Sequence, residues 1–170
     1  MFTGIGGFEL GLEKSNIEHE LIGYSEIDKY AIQIFEKNFP GIKNYGDAIN
    51  IQGNEIKDFD LLVGGFPCQS FSLAGKRKGF DDTRGTLFFD IARILSIKKP
   101  KFLVLENVKG LLSHDNGKTL SRILTILSKL EYQVEYRVLN SKDYGVPQNR
   151  ERIFITGYLG ESSGSKIIRV

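Results

Sequence analysis

Phe59-Asp60-Leu61-Leu62-Val63-Gly64-Gly65-Phe66-Pro67-Cys68-Gln69-Ser70 decides how this chain is read. Its first half, Phe59 to Gly64, is a short apolar run that predicts a buried strand. Its second half breaks that pattern at once. Two glycines and a proline fix an unusual backbone path and set the chain's single cysteine in a polar loop just past the strand. One cysteine excludes an intrachain disulfide, and with only two scattered histidines a thiolate zinc site is disfavoured. A structural cysteine more often lies inside an apolar strand or helix. The placement of Cys68 therefore favours a reactive thiol.

Working outward, strand-like and helix-like segments alternate. Residues 19 to 25 form a short apolar run with a breaker nearby, and 28 to 39 carry apolar residues at helical spacing through Tyr30, Ala31, Ile34 and Phe35. Residues 86 to 97 read as helix, 101 to 105 as strand and 118 to 130 as helix through Leu120, Ile123, Leu124 and Leu127. Late strands are expected over 133 to 139 and 152 to 157. The alternation predicts an α/β fold: a mainly parallel sheet with helices on both faces. In such sheets ligands bind beyond the carboxyl ends of the strands. Glu26, Asp47, Cys68 and Glu106 with Asn107 each follow a predicted strand, so four polar or reactive groups are expected at one edge.

The bulk composition is consistent with this reading. The chain has 170 residues, 41% hydrophobic and 26% charged, enough for one domain with a real core. No apolar run is long enough to span a bilayer, and the N-terminus lacks the pattern of a signal peptide. No membrane partner and a cytoplasmic location are the expectation. A net charge of +2 and a pI near 8.6 say little alone about nucleic acid. Lys76, Arg77, Lys78 and Arg84 cluster in the polar segment after Cys68, which reads as a loop able to cover a substrate and touch phosphates. Lys98, Lys99 and Lys101 read as surface lysines.

Four further stretches each carry a functional and a plainer reading. Phe2-Thr3-Gly4-Ile5-Gly6-Gly7-Phe8 is a glycine turn that lets a ligand approach closely, although Glu9 stands where a dinucleotide fingerprint needs its third glycine. Glu26, about 20 residues on, suits ribose hydroxyls, or equally a helix start. Asp47, in Gly46-Asp47-Ala48, suits an adenine amino group or a local turn. Glu106-Asn107 suits acid–base work or helix capping. In Pro147-Gln148-Asn149-Arg150-Glu151-Arg152 the arginines suit planar groups, or an ion-paired strand start.

In this order, these blocks resemble the cytosine-5 DNA methyltransferase family of bacterial restriction–modification type, from Phe2 to about Gly157. The segment from Lys78 through Gly85 to Phe88 also looks like that family's active-site loop. The resemblance implies a Rossmann-like methyltransferase fold with S-adenosylmethionine as methyl donor. Phe2, Gly4, Gly6 and Gly7 would cradle the donor and Glu26 would bind its ribose. Asp47 would bind its adenine, Ile27 stands where the family often has a larger side chain against adenine, and Ala48 and Leu87 would also bind the donor. Cys68 would attack carbon-6 of a flipped cytosine, in a pocket shaped by Pro67. Glu106 would hold the ring edge, Arg152 would contact its O2, and Arg150 would support the pocket. Double-stranded DNA is the implied partner, through Gln69, Ser70, Ser72, Lys76 and Arg84.

The family usually has a strand before the glycine loop, and beyond Arg152 it continues into a target-recognition region and a returning helix. The expectation is therefore an incomplete catalytic domain over 1–159, with 160–170 a tail or the start of a recognition region. The missing first strand favours a truncated product, since a split enzyme should keep that central strand; a split enzyme whose second chain supplies recognition is the alternative, and the chain alone is expected to be deficient in activity. The competing readings are an RNA cytosine methyltransferase, whose branch tends to have proline at the place of Phe66, a non-catalytic partner subunit, and a nucleotide-binding oxidoreductase.

Overall fold

The computed structural model describes residues 1–67 and 87–160. Cys68, Gln69, Ser70, Ser72, Lys76 and Arg84 lie outside the described residues, as does the tail from 161. Four helices are described: α1 (Gly7–Lys14), α2 (Lys29–Asn38), α3 (Leu87–Lys98) and α4 (Lys118–Lys129). Four strands, β1 (Leu61–Gly65), β2 (Phe102–Val108), β3 (Tyr132–Asn140) and β4 (Glu151–Leu159), form one sheet in the order β1-β2-β4-β3.

The α/β class holds, and the sheet is mixed. β1 and β2 are parallel, as a strand–helix–strand crossover requires, whereas β2–β4 and β4–β3 are antiparallel. The correction to a mainly parallel sheet has a local cause. β3 and β4 are joined by a short connection, Ser141 to Arg150, whose Ser141 N–H bonds the Arg150 carbonyl and closes a hairpin. A hairpin of that length can only pair antiparallel. The strand expected over 19 to 25 is reduced to one parallel bridge, Tyr24 with Asn44. On the other side of Tyr24–Ser25 runs Met1–Thr3: the Met1 amine donates to the Val63 carbonyl at 2.6 Å and Thr3 N–H to the Ser25 carbonyl at 3.2 Å. These three residues thus bridge β1 to the Tyr24 segment.

The core follows the strand alternation. Leu62, Leu103, Leu105, Ile153 and Ile155 fall on one face by register and are buried. They join Phe88, Ile91, Ile94 and Leu95 of α3 with Leu120, Ile123 and Leu127 of α4 in a single cluster. A smaller cluster stacks Tyr24 on Phe35 at 4.1 Å and packs Phe35 against Phe39 at 5.0 Å. Gly6, at φ +92, starts α1 against this cluster, where a Cβ would stand 2.6 Å from the Phe39 ring. The glycine turn was read without the helix that follows it, because Gly7 and Gly11 weaken the helical signal. Lys98, Lys99 and Lys101, read as surface lysines, are ion-paired with Asp58, Glu131 and Asp60, and the Lys98 side chain is itself nearly buried.

One buried charge in α1 sets a pH dependence. Glu9 is buried and its Oε2 has no partner among the described residues. Burial raises its carboxyl above the ordinary value near 4.5, opposed by its own backbone N–H and the Met1 amine. The folded state then holds the proton to higher pH than the unfolded chain, so stability falls as pH rises through the window above 4.5. Glu9→Gln should be more stable than the parent at pH 8, with the difference closing toward pH 4. Urea denaturation at the two pH values measures this, and a pH-independent difference would contradict the assignment.

Candidate active site

The carboxyl ends of β1 and β2 are fixed together by their register. Gly65 pairs with Glu106, and a Cβ on Gly65 would stand 3.1 Å from Glu106 Oε2. The glycine therefore leaves room for the carboxylate. Arg152 pairs with Val108, two residues along β2 from Glu106, so Glu106 and Arg152 are diagonal neighbours on one face. Their side chains meet there, Arg152 Nε lying 2.8 Å from Glu106 Oε1, with both about a quarter exposed (23% and 25%). Arg152 Nη1 also donates to the Glu151 carbonyl at 2.9 Å. The result is an oriented carboxylate–guanidinium pair open to solvent at the sheet edge.

Asn107 falls on the opposite face and does not cap a helix, which corrects that reading. It lies within β2, is 2% exposed, and its Nδ2 donates to the Phe66 carbonyl at 2.7 Å. Its Oδ1 accepts from Val108 N–H at 2.8 Å. Phe66 is buried, with its ring 5.4 Å from that of Phe88 at the start of α3. Phe66 is thus held from both sides, one residue before the exposed Pro67. Nothing in the sequence separates this asparagine from a cap, because its partner is 41 residues away.

A second cluster forms around Glu26. Its Oε2 accepts from Gly4 N–H at 2.8 Å, and its Oε1 from Ile27 and Asp28 N–H at 2.8 and 3.0 Å. Three donors on a carboxylate with about four acceptor positions leave room for one more. Asn44, which the sequence reading passed over, is the bracket. Its Oδ1 accepts from Glu26 and Gly46 N–H at 3.3 and 2.9 Å, and its Nδ2 donates to the Glu26 carbonyl at 3.1 Å. Ser25 Oγ donates to the Gly46 carbonyl at 2.7 Å. Asp47 follows directly and caps the Ala48–Asn50 turn through Ile49 N–H at 3.1 Å. Asp28, not Glu26, caps α2.

Around these carboxylates the surface is apolar and open. Ile27 and Ile49 are exposed at 70% and 58%, while a Cβ on Gly4, Gly7 or Gly46 would meet nothing within 4 Å among the described residues. Ala48 is buried, and Phe2 and Leu87 are half-buried. Carboxylate acceptors, exposed aliphatic surface and an open glycine turn suit a ligand that brings hydroxyl or amine donors together with a flat apolar face. Gly6 differs from the other loop glycines in being closed off by Phe39. Arg150 is exposed, and its bonds run through its backbone, N–H to Asn140 Oδ1 at 3.1 Å. Of the sequence-derived residues, Glu26, Asp47, Pro67, Glu106 and Arg152 come to the carboxyl edge of the sheet.

The fold is that of known methyltransferases. A mutant of DNMT2 from Spodoptera frugiperda superposes with a TM-score of 0.80 at 23% identity, over 99% of this chain and 51% of that one. Residues 1–168 match the C-5 cytosine-specific DNA methylase family, to which this chain belongs. Among curated relatives, the orphan methyltransferase M.SPRI of Bacillus phage SPR is 52% identical over 159 residues, spanning 92% of this chain and 36% of that protein. The type II methyltransferase M.NlaIV of Neisseria lactamica is 49% identical over 170 residues, spanning 94% and 40%. The chain thus corresponds to less than half the length of these two relatives.

Removing the Asn107 amide deletes a buried hydrogen bond to the Phe66 carbonyl and the packing of the side chain that makes it. Asn107→Ala should cost about 1–3 kcal/mol and lower the melting temperature by several degrees, whereas a loss under about 0.5 kcal/mol would show that the bond does not hold this loop. Thermal melting reads the result.

Proposed function

We propose that this chain carries the catalytic portion of a DNA (cytosine-5-)-methyltransferase of a restriction–modification system, acting on a cytosine flipped out of duplex DNA. The observation that best supports this is the Glu106–Arg152 pair beside the Asn107-held Phe66–Pro67 end that leads into Cys68. S-adenosylmethionine, when bound, supplies the methyl group that carbon-5 receives. Phe2, Gly4, Gly6 and Gly7 would cradle it, Glu26 would bind its ribose, and Ile27, Asp47, Ala48 and Leu87 would border its adenine.

Carbon-5 of cytosine is a weak nucleophile, and the chain's own residues change that. The Cys68 thiolate adds to carbon-6, forming a carbon–sulfur bond and pushing the electron pair toward carbon-5 and the ring. Glu106 holds N3 and the exocyclic amine as negative charge develops there. Arg152, already fixed on Glu106, meets the ring O2. Arg150 supports the pocket and Pro67 shapes its wall. After methylation carbon-5 loses its proton and the electron pair returns to expel Cys68. Gln69, Ser70, Ser72, Lys76 and Arg84 serve the DNA contact.

Residues 1–159 form the catalytic domain, and 160–170 lead toward the recognition region. The relatives' greater length favours a recognition region in the same polypeptide over one supplied by a second chain. Among the described residues no helix is long and apolar enough to cross a membrane, and a cytoplasmic location fits an enzyme of DNA. The family's description and the type II name of M.NlaIV favour DNA over RNA.

Duplex DNA carrying 5-fluorocytosine, incubated with the chain and S-adenosylmethionine, should trap a covalent adduct visible by mass spectrometry. Cys68→Ser should abolish it, and Glu106→Gln should slow its formation by about 10²- to 10⁴-fold. An adduct that persists in Cys68→Ser would overturn the assignment of the nucleophile.

A further inference from the structure

Arg93 lies in the middle of α3, and its guanidinium leaves the helix for a stretch that has no strand of its own. Nη1 donates to the Ile51 carbonyl at 2.6 Å and Nη2 to the Ala48 carbonyl at 2.9 Å, with the Ile49 carbonyl at 3.5 Å. Asp90, one turn earlier, steadies the fork from behind, its Oδ1 lying 3.3 Å from Nε and 3.0 Å from Nη2. The Ala48–Asn50 turn closes on a long bond, Ile51 N–H to the Ala48 carbonyl at 3.4 Å, and Ala48 and Ile51 are buried, away from water. A planar fork reaches several diverging carbonyls at once. A lysine ammonium is a point donor and does not.

What this turn carries gives the contact its consequence. Asp47 caps it, and exposed Ile49 stands on it. Leu87, in the same proposed pocket, is the first residue of α3. We propose that Arg93 is a positioning residue for the adenine end of the methyl donor: it fixes the Asp47–Ile51 wall against α3 without touching the ligand. The inference rests on the function proposed above. Lys98 offers an internal comparison. It extends from the same helix to the Ile56 carbonyl at 2.8 Å and to Asp58, anchoring the irregular stretch well past Asp47.

The test uses the 170-residue chain with S-adenosylmethionine as probe, in the parent, Arg93→Lys, Asp47→Asn, the double variant and Lys98→Met. Calorimetry should show Arg93→Lys weakening binding about fivefold, but less than about twofold once Asp47 is already replaced, since coupled positions are not additive. Hydrogen exchange at the Ile49, Asn50 and Ile51 amides should speed up in Arg93→Lys and stay unchanged in Lys98→Met, whose affinity should match the parent's. Equal losses in both backgrounds, parent-like binding by Arg93→Lys, or an equal loss in Lys98→Met would overturn the inference while leaving the proposed function standing. A parent chain that binds no S-adenosylmethionine would overturn the inference, while the proposed function is decided separately by the Cys68 adduct.

Discussion

The parallel pairing of β1 with β2, closed at its end by the Asn107 amide on the Phe66 carbonyl, is the constraint on which the rest of the site depends. Parallel strands cannot be joined by a tight turn, so the chain must leave β1, cross over and return through α3. That crossover places Phe66 and Pro67 at the same level as Glu106. The register then sorts the residues of β2 between faces. Leu103, Leu105 and Asn107 turn into the core, and Glu106 turns to the face where Arg152 waits. A slip of one residue would bury the carboxylate and expose the core leucines, and it would be opposed by every buried side chain in the sheet.

The other half of the site depends on the satisfaction of backbone groups rather than on sheet pairing. The segments around Gly4, Glu26 and Gly46 have almost no regular ladder, so their N–H groups need other acceptors. Glu26 and Asn44 provide these from their side chains. The same logic runs through the Ala48–Ile51 turn, whose carbonyls find Arg93. Polar side chains thus do the work of a ladder where the chain is irregular. An irregular chain at a sheet edge is where a ligand finds free acceptors and exposed apolar surface together.

Much of the architecture could be read from the sequence because it is periodic. The helical spacing at 28 to 39 and 118 to 130 and the apolar runs near 61 and 102 reappear as α2, α4, β1 and β2 to within a few residues. The hairpin orientation of β3 and β4 was missed, because alternation signals a crossover and does not give strand direction. Helix α1 was hidden by its glycines. The single bridge at Tyr24 was overread as a strand, because an apolar run does not reveal how many of its neighbours are present.

By itself the sequence determined the α/β class, the candidate nucleophile Cys68 and the carboxylates Glu26, Asp47 and Glu106 as strand-end groups, since these follow from local pattern and residue chemistry. Only the tertiary structure decided that Glu106 meets Arg152, that Asn107 holds Phe66 instead of capping a helix, and that Arg93 reaches the turn after Asp47. Each of these contacts joins residues more than 40 positions apart. No local periodicity encodes such a contact; it exists only once sheet register and helix packing have fixed both partners in space.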